Sequence, residues 1–481
     1  MKKIIYILTL VYLVACTPSP SNVNKTSEEV PMYPDYTDIT VPVNIAPLNF
    51  LLRDVAEAVC VYADGEELYA GKGNEVVFDA DDWKEFLSEN VGKTVDVAVC
   101  AKYADGWKEF KHFEWNIVGD KVDPYLTYRL IEPDYEVYNN LVIQERCVEN
   151  FDVRNISDNK EVGNRCMNCH TYSAQNPDLS MFYLRGDGGG AILNEGGKLS
   201  KLNLKTDDMV SGSVYFGFSP NNQYIVFSTN HIVPAFHSRE SKRLEVFDTT
   251  SDVYVADLRN HTFIRSELLN DSTQLETFPT FSPDGRYIYY CSAVRPDTLG
   301  GLTSMKYSLC RIGFDEKTGR ISTEVDTVYN ARTEGKSVCH PRISPDGKYL
   351  VFTTADYGTF PIWHRESRLQ IMDMTTLEHH AMKLEGRTPN VGSDSYHSWS
   401  SNSRWIVFAS KRDDGLYGKP YYTYINKKGM CSKPFVLPQA HPTFYDNCLK
   451  SFNAPEAGTG KVKFDAKDVQ KVMKNAPIVF H

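Results

Sequence analysis

From about residue 40 to residue 119 the chain alternates apolar and polar residues in short segments, as in Ala58-Val59-Cys60-Val61-Tyr62, Val76-Val77-Phe78 and Val95-Asp96-Val97-Ala98-Val99-Cys100. A period of two is what a half-buried strand requires, and Ala-Asp-Gly at 63–65 and again at 104–106 supplies the turns between strands. One segment, Asp82 to Glu89, breaks the alternation and reads as a helix. The C-terminal two-thirds carries a different regularity, a repeated apolar-turn-apolar unit. Its copies are Phe218-Ser219-Pro220-Asn221-Asn222-Gln223-Tyr224-Ile225-Val226-Phe227, Phe281-Ser282-Pro283-Asp284-Gly285-Arg286-Tyr287-Ile288-Tyr289-Tyr290, Ile343-Ser344-Pro345-Asp346-Gly347-Lys348-Tyr349-Leu350-Val351-Phe352 and Trp399-Ser400-Ser401-Asn402-Ser403-Arg404-Trp405-Ile406-Val407-Phe408. In each, Pro-Asp-Gly or its equivalent sets a fixed φ and then a positive φ, so the unit reads strand, tight turn, strand.

The motif serines 219, 282, 344 and 400 are spaced by 63, 62 and 56 residues. A third strand follows in each unit, for example Asp252 to Leu258 and Leu369 to Met374. A degenerate first copy stands at Tyr172-Ser173 with Pro177 to Leu184, and a partial last one at His441-Pro442-Thr443-Phe444. Such units have exposed strand edges singly and close radially. These motifs resemble the TolB-type (WD-repeat-like) β-propeller family over residues 165–450, and the resemblance implies a propeller of five or six blades, six being favoured. The expected fold is mainly β, an N-terminal immunoglobulin-like β-sandwich over 39–122 followed by the propeller. An aromatic, acidic connector over 123–164, with Tyr125, Tyr128, Tyr135 and Tyr138, joins the two. Residues 451–481 read as a C-terminal tail.

The N-terminus alters the picture of where the protein works. Met1-Lys2-Lys3 and the apolar run Ile4 to Val14, too short to span a bilayer, form a secretory signal over 1–15. Leu13-Val14-Ala15-Cys16 resembles the lipobox of bacterial lipoproteins, which implies cleavage before Cys16 and its diacylation. Thr17 rather than Asp follows, which in the enterobacterial pattern favours the outer membrane and leaves open the face. Residues 16–38 begin with Pro, Ser, Asn, Thr and Glu and read as a flexible tether. Net charge is −10, from 62 acidic and 52 basic residues, with no dense Lys/Arg run. Nucleic acid is excluded as a partner; a membrane, through the lipid, is expected.

Candidate chemistry is concentrated in Cys166-Met167-Asn168-Cys169-His170. C-x-x-C-H is the attachment signal for one covalent c-type haem: two thiols at this spacing add to the two vinyl groups, and His170 becomes the proximal iron ligand. Chance gives roughly 0.006 such matches in this composition, so coincidence is a weak rival. The resemblance to TolB-like propellers puts the segment entering each motif serine near the central channel. His170 and His397 precede their serines by three residues and His340 by four. His397, His340 and His441 are therefore the candidate distal ligands; a Met in that place would raise the potential. A second His signature, Phe236-His237-Ser238-Arg239 echoed by Trp363-His364-Arg365-Glu366, reads as a structural turn contact with His237 or His364 in reserve as ligands. Cys60 and Cys100 form either a bridge or two buried thiols, and Cys431 and Cys448 are close enough in sequence to bridge.

Among catalytic motifs, G-x-S-x-G, the P-loop and H-E-x-x-H are absent from the sequence. The sequence therefore points to a lipid-anchored, extracytoplasmic cytochrome that exchanges electrons with an envelope protein. Two alternatives stand beside it: a haem enzyme acting on a small molecule at an open iron site, and a protein- or glycan-binding propeller with a structural or sensory haem.

Overall fold

A computed structural model of the chain describes residues 18–132, 140–236, 244–297, 299–387 and 389–481. The lipobox cysteine Cys16, the tyrosines Tyr135 and Tyr138 and His237 lie outside these residues.

The N-terminal part contains a seven-stranded sheet and a three-stranded sheet. Thr94–Tyr103 is the hub of the larger one, pairing with Ala58–Ala63 on one side and with Gly106–Glu109 and Phe113–Val118 on the other. Cys60 faces Cys100 directly across this ladder, and both thiols are free. The helix is Ala80–Glu89, two residues longer at its start than the sequence pattern suggests. The Asp79 carboxylate caps it, accepting from the backbone N–H groups of Asp81 and Asp82, while Trp83 and Leu87 bury its inner face.

Beyond this part the described residues form six radially arranged blades. The repeated turn explains why the same four-letter pattern recurs. In four blades the motif serine hydroxyl donates to the Asp or Asn two residues on, at 2.6–2.7 Å, and accepts from the backbone N–H five residues on, at 2.9–3.0 Å. Asn222, Gly285, Gly347 and Ser403 then take the left-handed conformation that closes the turn. The hairpin strands that follow, such as Ile225 to Phe227 and Leu350 to Phe352, bury their side chains between neighbouring blades.

Three sequence expectations are corrected here. Residues 16–38 are not a free tether where they are described: Asn24–Lys25 and Met32–Tyr33 pair into the two N-terminal sheets and Tyr36 is buried in the core, because the segment's apolar residues find partners there. Residues 123–164 are not a connector: Tyr125–Ile131, Val142–Cys147 and Val153–Asp158 are three strands of a blade whose innermost strand is Ser451–Gly458. Residues 451–481 are likewise not a free tail. Ser451–Gly458 closes the ring, and Ile478–Val479 adds to the outer edge of the blade beginning at Met167–Ser173. The physical reason is that without Ser451–Gly458 the edge of Tyr125–Ile131 would face the channel without its ladder partner. The partial copy at His441 to Phe444 is a loop leading into the short helix Phe444–Asn447. The two parts of the molecule share one apolar cluster, pinned by Asp123 on Ser401, by the Trp405 indole on the Asp120 carbonyl and by Arg53 on Asp446.

Candidate functional site

Every inner strand is interrupted at the same place. The ladders slip between Val214 and Gly217, Thr277 and Thr280, Cys339 and Arg342, and Ser395 and His397. At each slip the residue four before the motif serine is left-handed: Tyr215 at φ 55°, Phe278 at 52°, His340 at 52° and Tyr396 at 47°. Ala454, at 48°, does the same in the strand that closes the ring. Bulky residues rarely take this conformation, and a repeated bulge of this kind re-aims a side chain away from the pleat. Here the bulges line a cavity of about 900 Å³ in the channel. The Phe278 and His340 rings meet at 4.0 Å, His340 and Tyr396 at 4.6 Å, and Tyr215 and Phe278 at 4.2 Å.

In the second blade the corresponding slip falls between Asn168 and Thr171, and the position four before Ser173 is Cys169. C-x-x-C-H therefore opens the channel-lining strand Met167–Ser173, with its second cysteine at the register where other blades carry Tyr215, Phe278, His340 and Tyr396. On a regular strand, positions three apart face opposite ways. The extra residue at the slip brings them into phase, as Asn168 and Thr171, which both line the cavity, demonstrate.

Cys166, His170, His340 and His397 all line this one cavity, each from the end or interior of an inner strand. Cys166 is half-buried and free. Neither ring nitrogen of His170 makes a hydrogen bond, although both are shielded from water. Burial, with the nearby Arg129 cation and to a smaller extent Arg342, holds His170 down at about 4. Both His340 nitrogens are also unpartnered, and burial beside His397 and Arg342 keeps that ring neutral. His397 Nε2 donates to the Val351 carbonyl at 2.8 Å, which fixes the tautomer and leaves buried Nδ1 with a free lone pair. Burial sets its pKa at about 3. His441 is exposed and is not brought to the cavity. His364 sits elsewhere, in a contact between the long hairpin of Tyr224–Phe236 with Leu244–Asp257 and the loop before Arg368–Asp373. There its Nδ1 meets Glu366 at 3.0 Å and its Nε2 approaches Glu245 at 4.0 Å.

The sequence reading missed the cations. Arg129, Arg165, Arg342 and Lys411 line the same cavity. Arg129 lies on a strand read as connector. Lys411 stands just past Trp405–Ser410, eleven residues after its motif serine, where the third blade has the cavity-lining Asn230. Reading the repeats in register at that position would have found it.

Among the described residues no group of three His, Cys, Asp or Glu side chains is placed to hold a bare metal ion. The donor set fits a haem instead. One thiol and three unprotonated imidazoles with free nitrogens face one cavity, aromatic side chains form part of its wall, and guanidinium and ammonium groups are present for two propionates. Its volume lies within the ~300–1,000 Å³ common for ligand sites.

No family model matches the chain, and no curated protein matches it. Solved structures do resemble it at fold level. Hydrazine synthase of Kuenenia stuttgartiensis is 11% identical, with a TM-score of 0.41 over 70% of this chain and 46% of that one. The tricorn protease is 11% identical, with a TM-score of 0.34 over 72% and 34%. The β-propeller domain of the trilobed protease from Pyrococcus furiosus is 12% identical, with a TM-score of 0.33 over 72% and 95%. This chain thus spans less than half the length of the first two.

Proposed function

We propose that the propeller is the scaffold of a monohaem c-type cytochrome. It is anchored to the cell envelope through lipid on Cys16 and exchanges electrons with an envelope protein, as its TolB-like repeats and secretory signal suggest. The observation that carries this reading is the placement of C-x-x-C-H on the channel strand of a blade, with Cys166 and His170 opening on the same cavity as His340 and His397. Cys166 and Cys169 would form the two thioethers and His170 would be the proximal ligand. When bound, the haem supplies a one-electron couple whose potential depends on its axial ligands and on the burial around it. His397 is favoured as the distal ligand over His340, because its Nε2–H is already held by Val351 and the ring is oriented before any ligation.

The test is a visible spectrum and pyridine haemochrome of the chain, expressed with its signal peptide beside a cytochrome c maturation system. Covalent haem is expected in the wild type and lost in Cys166→Ala/Cys169→Ala. A low-spin spectrum indifferent to added ligands, turning high-spin in His397→Ala, supports electron transfer with His397 as ligand. A wild-type haem that is high-spin and binds added ligands would point to catalysis at an open iron. No covalent haem would remove the proposal.

A further inference from the structure

We infer that the channel is built to receive a carboxylate, held between Lys411 and Arg342. Lys411 is 4% exposed, yet among the described residues no carboxylate comes within ion-pair distance and its ammonium makes no hydrogen bond. It lies 4.0 Å over the Trp363 ring, on the cavity wall. A buried charge is ordinarily paired, and leaving one unpaired is unfavourable unless something else supplies the partner. Burial accordingly holds the Lys411 amine down at about 8, with the more distant Asp414 opposing, so it is still mostly cationic at neutral pH.

Its neighbours share the condition. The Arg342 guanidinium makes no hydrogen bond or ion pair among the described residues, while its backbone carbonyl accepts from the Trp399 indole. Glu456, on the same cavity wall, is itself buried, and burial pushes its carboxyl up although Arg342 opposes this. Buried Nη1 of Arg165 and Nε of Arg129 are likewise without partners. A lining with this cationic excess, in a chain of net charge −10, selects an anion against the field of the rest of the protein. The guanidinium fork favours the planar, two-oxygen geometry of a carboxylate. Aromatic walls at Trp363, Phe278 and Tyr396 suit the apolar body attached to it. The carboxylate has two possible sources, the propionates of a bound haem or a free small organic acid, and the inference does not require the haem to be covalent.

Calorimetric titration with acetate, succinate and citrate tests it on the full chain and on Cys166→Ala/Cys169→Ala. The cysteine-free form should bind at least one acid saturably, less tightly as salt is added. Lys411→Met and Arg342→Gln, placed in that form, should weaken binding by about tenfold or more, while Lys411→Arg retains it. If the haem-bearing chain binds the same acid, the ligand is a free acid beside the haem. If it excludes the acid, and the cysteine-free form prefers haem to haem dimethyl ester, the propionates are the occupant. Absence of saturable binding of all three acids together with equal affinity for haem and its ester would overturn the inference. So would binding that ignores both Lys411→Met and Arg342→Gln in correctly folded protein. Loss of covalent haem alone would touch only the cytochrome reading.

Discussion

Replacing Lys411 by Met should stabilise the protein at neutral pH, even though it removes a wild-type contact. The fall of the Lys411 amine from 10.5 to about 8 is equivalent to ~3 kcal/mol against holding its charge in the fold. Stacking on Trp363 returns ~1–2 kcal/mol of this, since a desolvated ammonium over an indole is among the stronger cation–π contacts. The net gain for an unbranched apolar side chain of similar length is therefore ~1–2 kcal/mol. The pH dependence is the sharper readout. Below about 8 the amine is charged in both folded and unfolded chains and the unfavourable burial is present in full. Between about 8 and 10.5 the folded form is neutral while the unfolded chain still carries the proton, so the wild type recovers stability as pH rises. Urea unfolding of the cysteine-free form at pH 7 and pH 10, followed by tryptophan fluorescence, measures both. A Lys411→Met that is more stable at pH 7, with the advantage shrinking by pH 10, agrees with an unpaired buried cation. A variant destabilised by more than ~1 kcal/mol at pH 7, with no change at pH 10, would show that Lys411 has a partner and would refute the reasoning.

Ala454 is left-handed without being Gly, so Ala454→Gly should raise the free energy of unfolding in urea titrations by up to ~1 kcal/mol, whereas Ala454→Val should lower it by more than ~2 kcal/mol; equal effects would mean that the bulge is not strained. Glu276 is 1% exposed and one of its oxygens has no partner, and burial, with Asp252 and Asp271 adding to it, holds its carboxyl up at about 9. The unfolded chain loses this proton first as pH rises above ~4.5, so Glu276→Gln should gain on the wild type by ~1.4 kcal/mol per pH unit between pH 5 and 8 in urea titrations, and a difference independent of pH would rule this out. His170 and His397 have the opposite sign. They stay neutral in the fold while the unfolded chain takes up protons below ~6.5, so stability falls toward pH 4.5, and His397→Gln in the cysteine-free form should flatten that fall; an unchanged slope would contradict it.

What was legible in the sequence follows the range of the interactions. The Ser-x-Asp/Asn turns are closed by hydrogen bonds two and five residues apart, so four blades are visible as a local pattern. The blade that closes the ring has no such pattern. Its inner strand comes from the other end of the chain, and Thr127 donates to the Glu456 carbonyl 329 residues away. Composition near Tyr125 resembles a connector because alternation in a strand buried on both sides is blurred, as Thr127 and Tyr128 in Tyr125–Ile131 are both buried. The cavity was half legible for the same reason. His340 and His397 could be found by counting back from motif serines and Lys411 by counting forward, but that Lys411 is an unpaired cation on a cavity wall shared with Arg129 is visible only once the distant strands are assembled.

The proposed haem attachment and the fold would impose opposite demands at Met167–Ser173, and the inner-strand bulge is where the two could be reconciled. C-x-x-C-H needs positions three apart to approach one planar group, which a helical turn provides and a straight strand does not. A propeller needs an inner strand there, because blade edges left open to the channel expose unpaired N–H and C=O groups. The ladder slip between Asn168 and Thr171 keeps the strand paired on either side while absorbing one extra residue, and leaves both of those residues lining the cavity. The same slip occurs in every other blade without a C-x-x-C-H motif, so it belongs to the architecture and precedes the chemistry. A cysteine motif placed one residue earlier or later in that strand would lose this phase. Moving the motif by inserting one Gly between His170 and Thr171 should therefore leave the blade folded by circular dichroism and abolish covalent haem, while haem attachment that survives the insertion would show that the strand does not set the geometry.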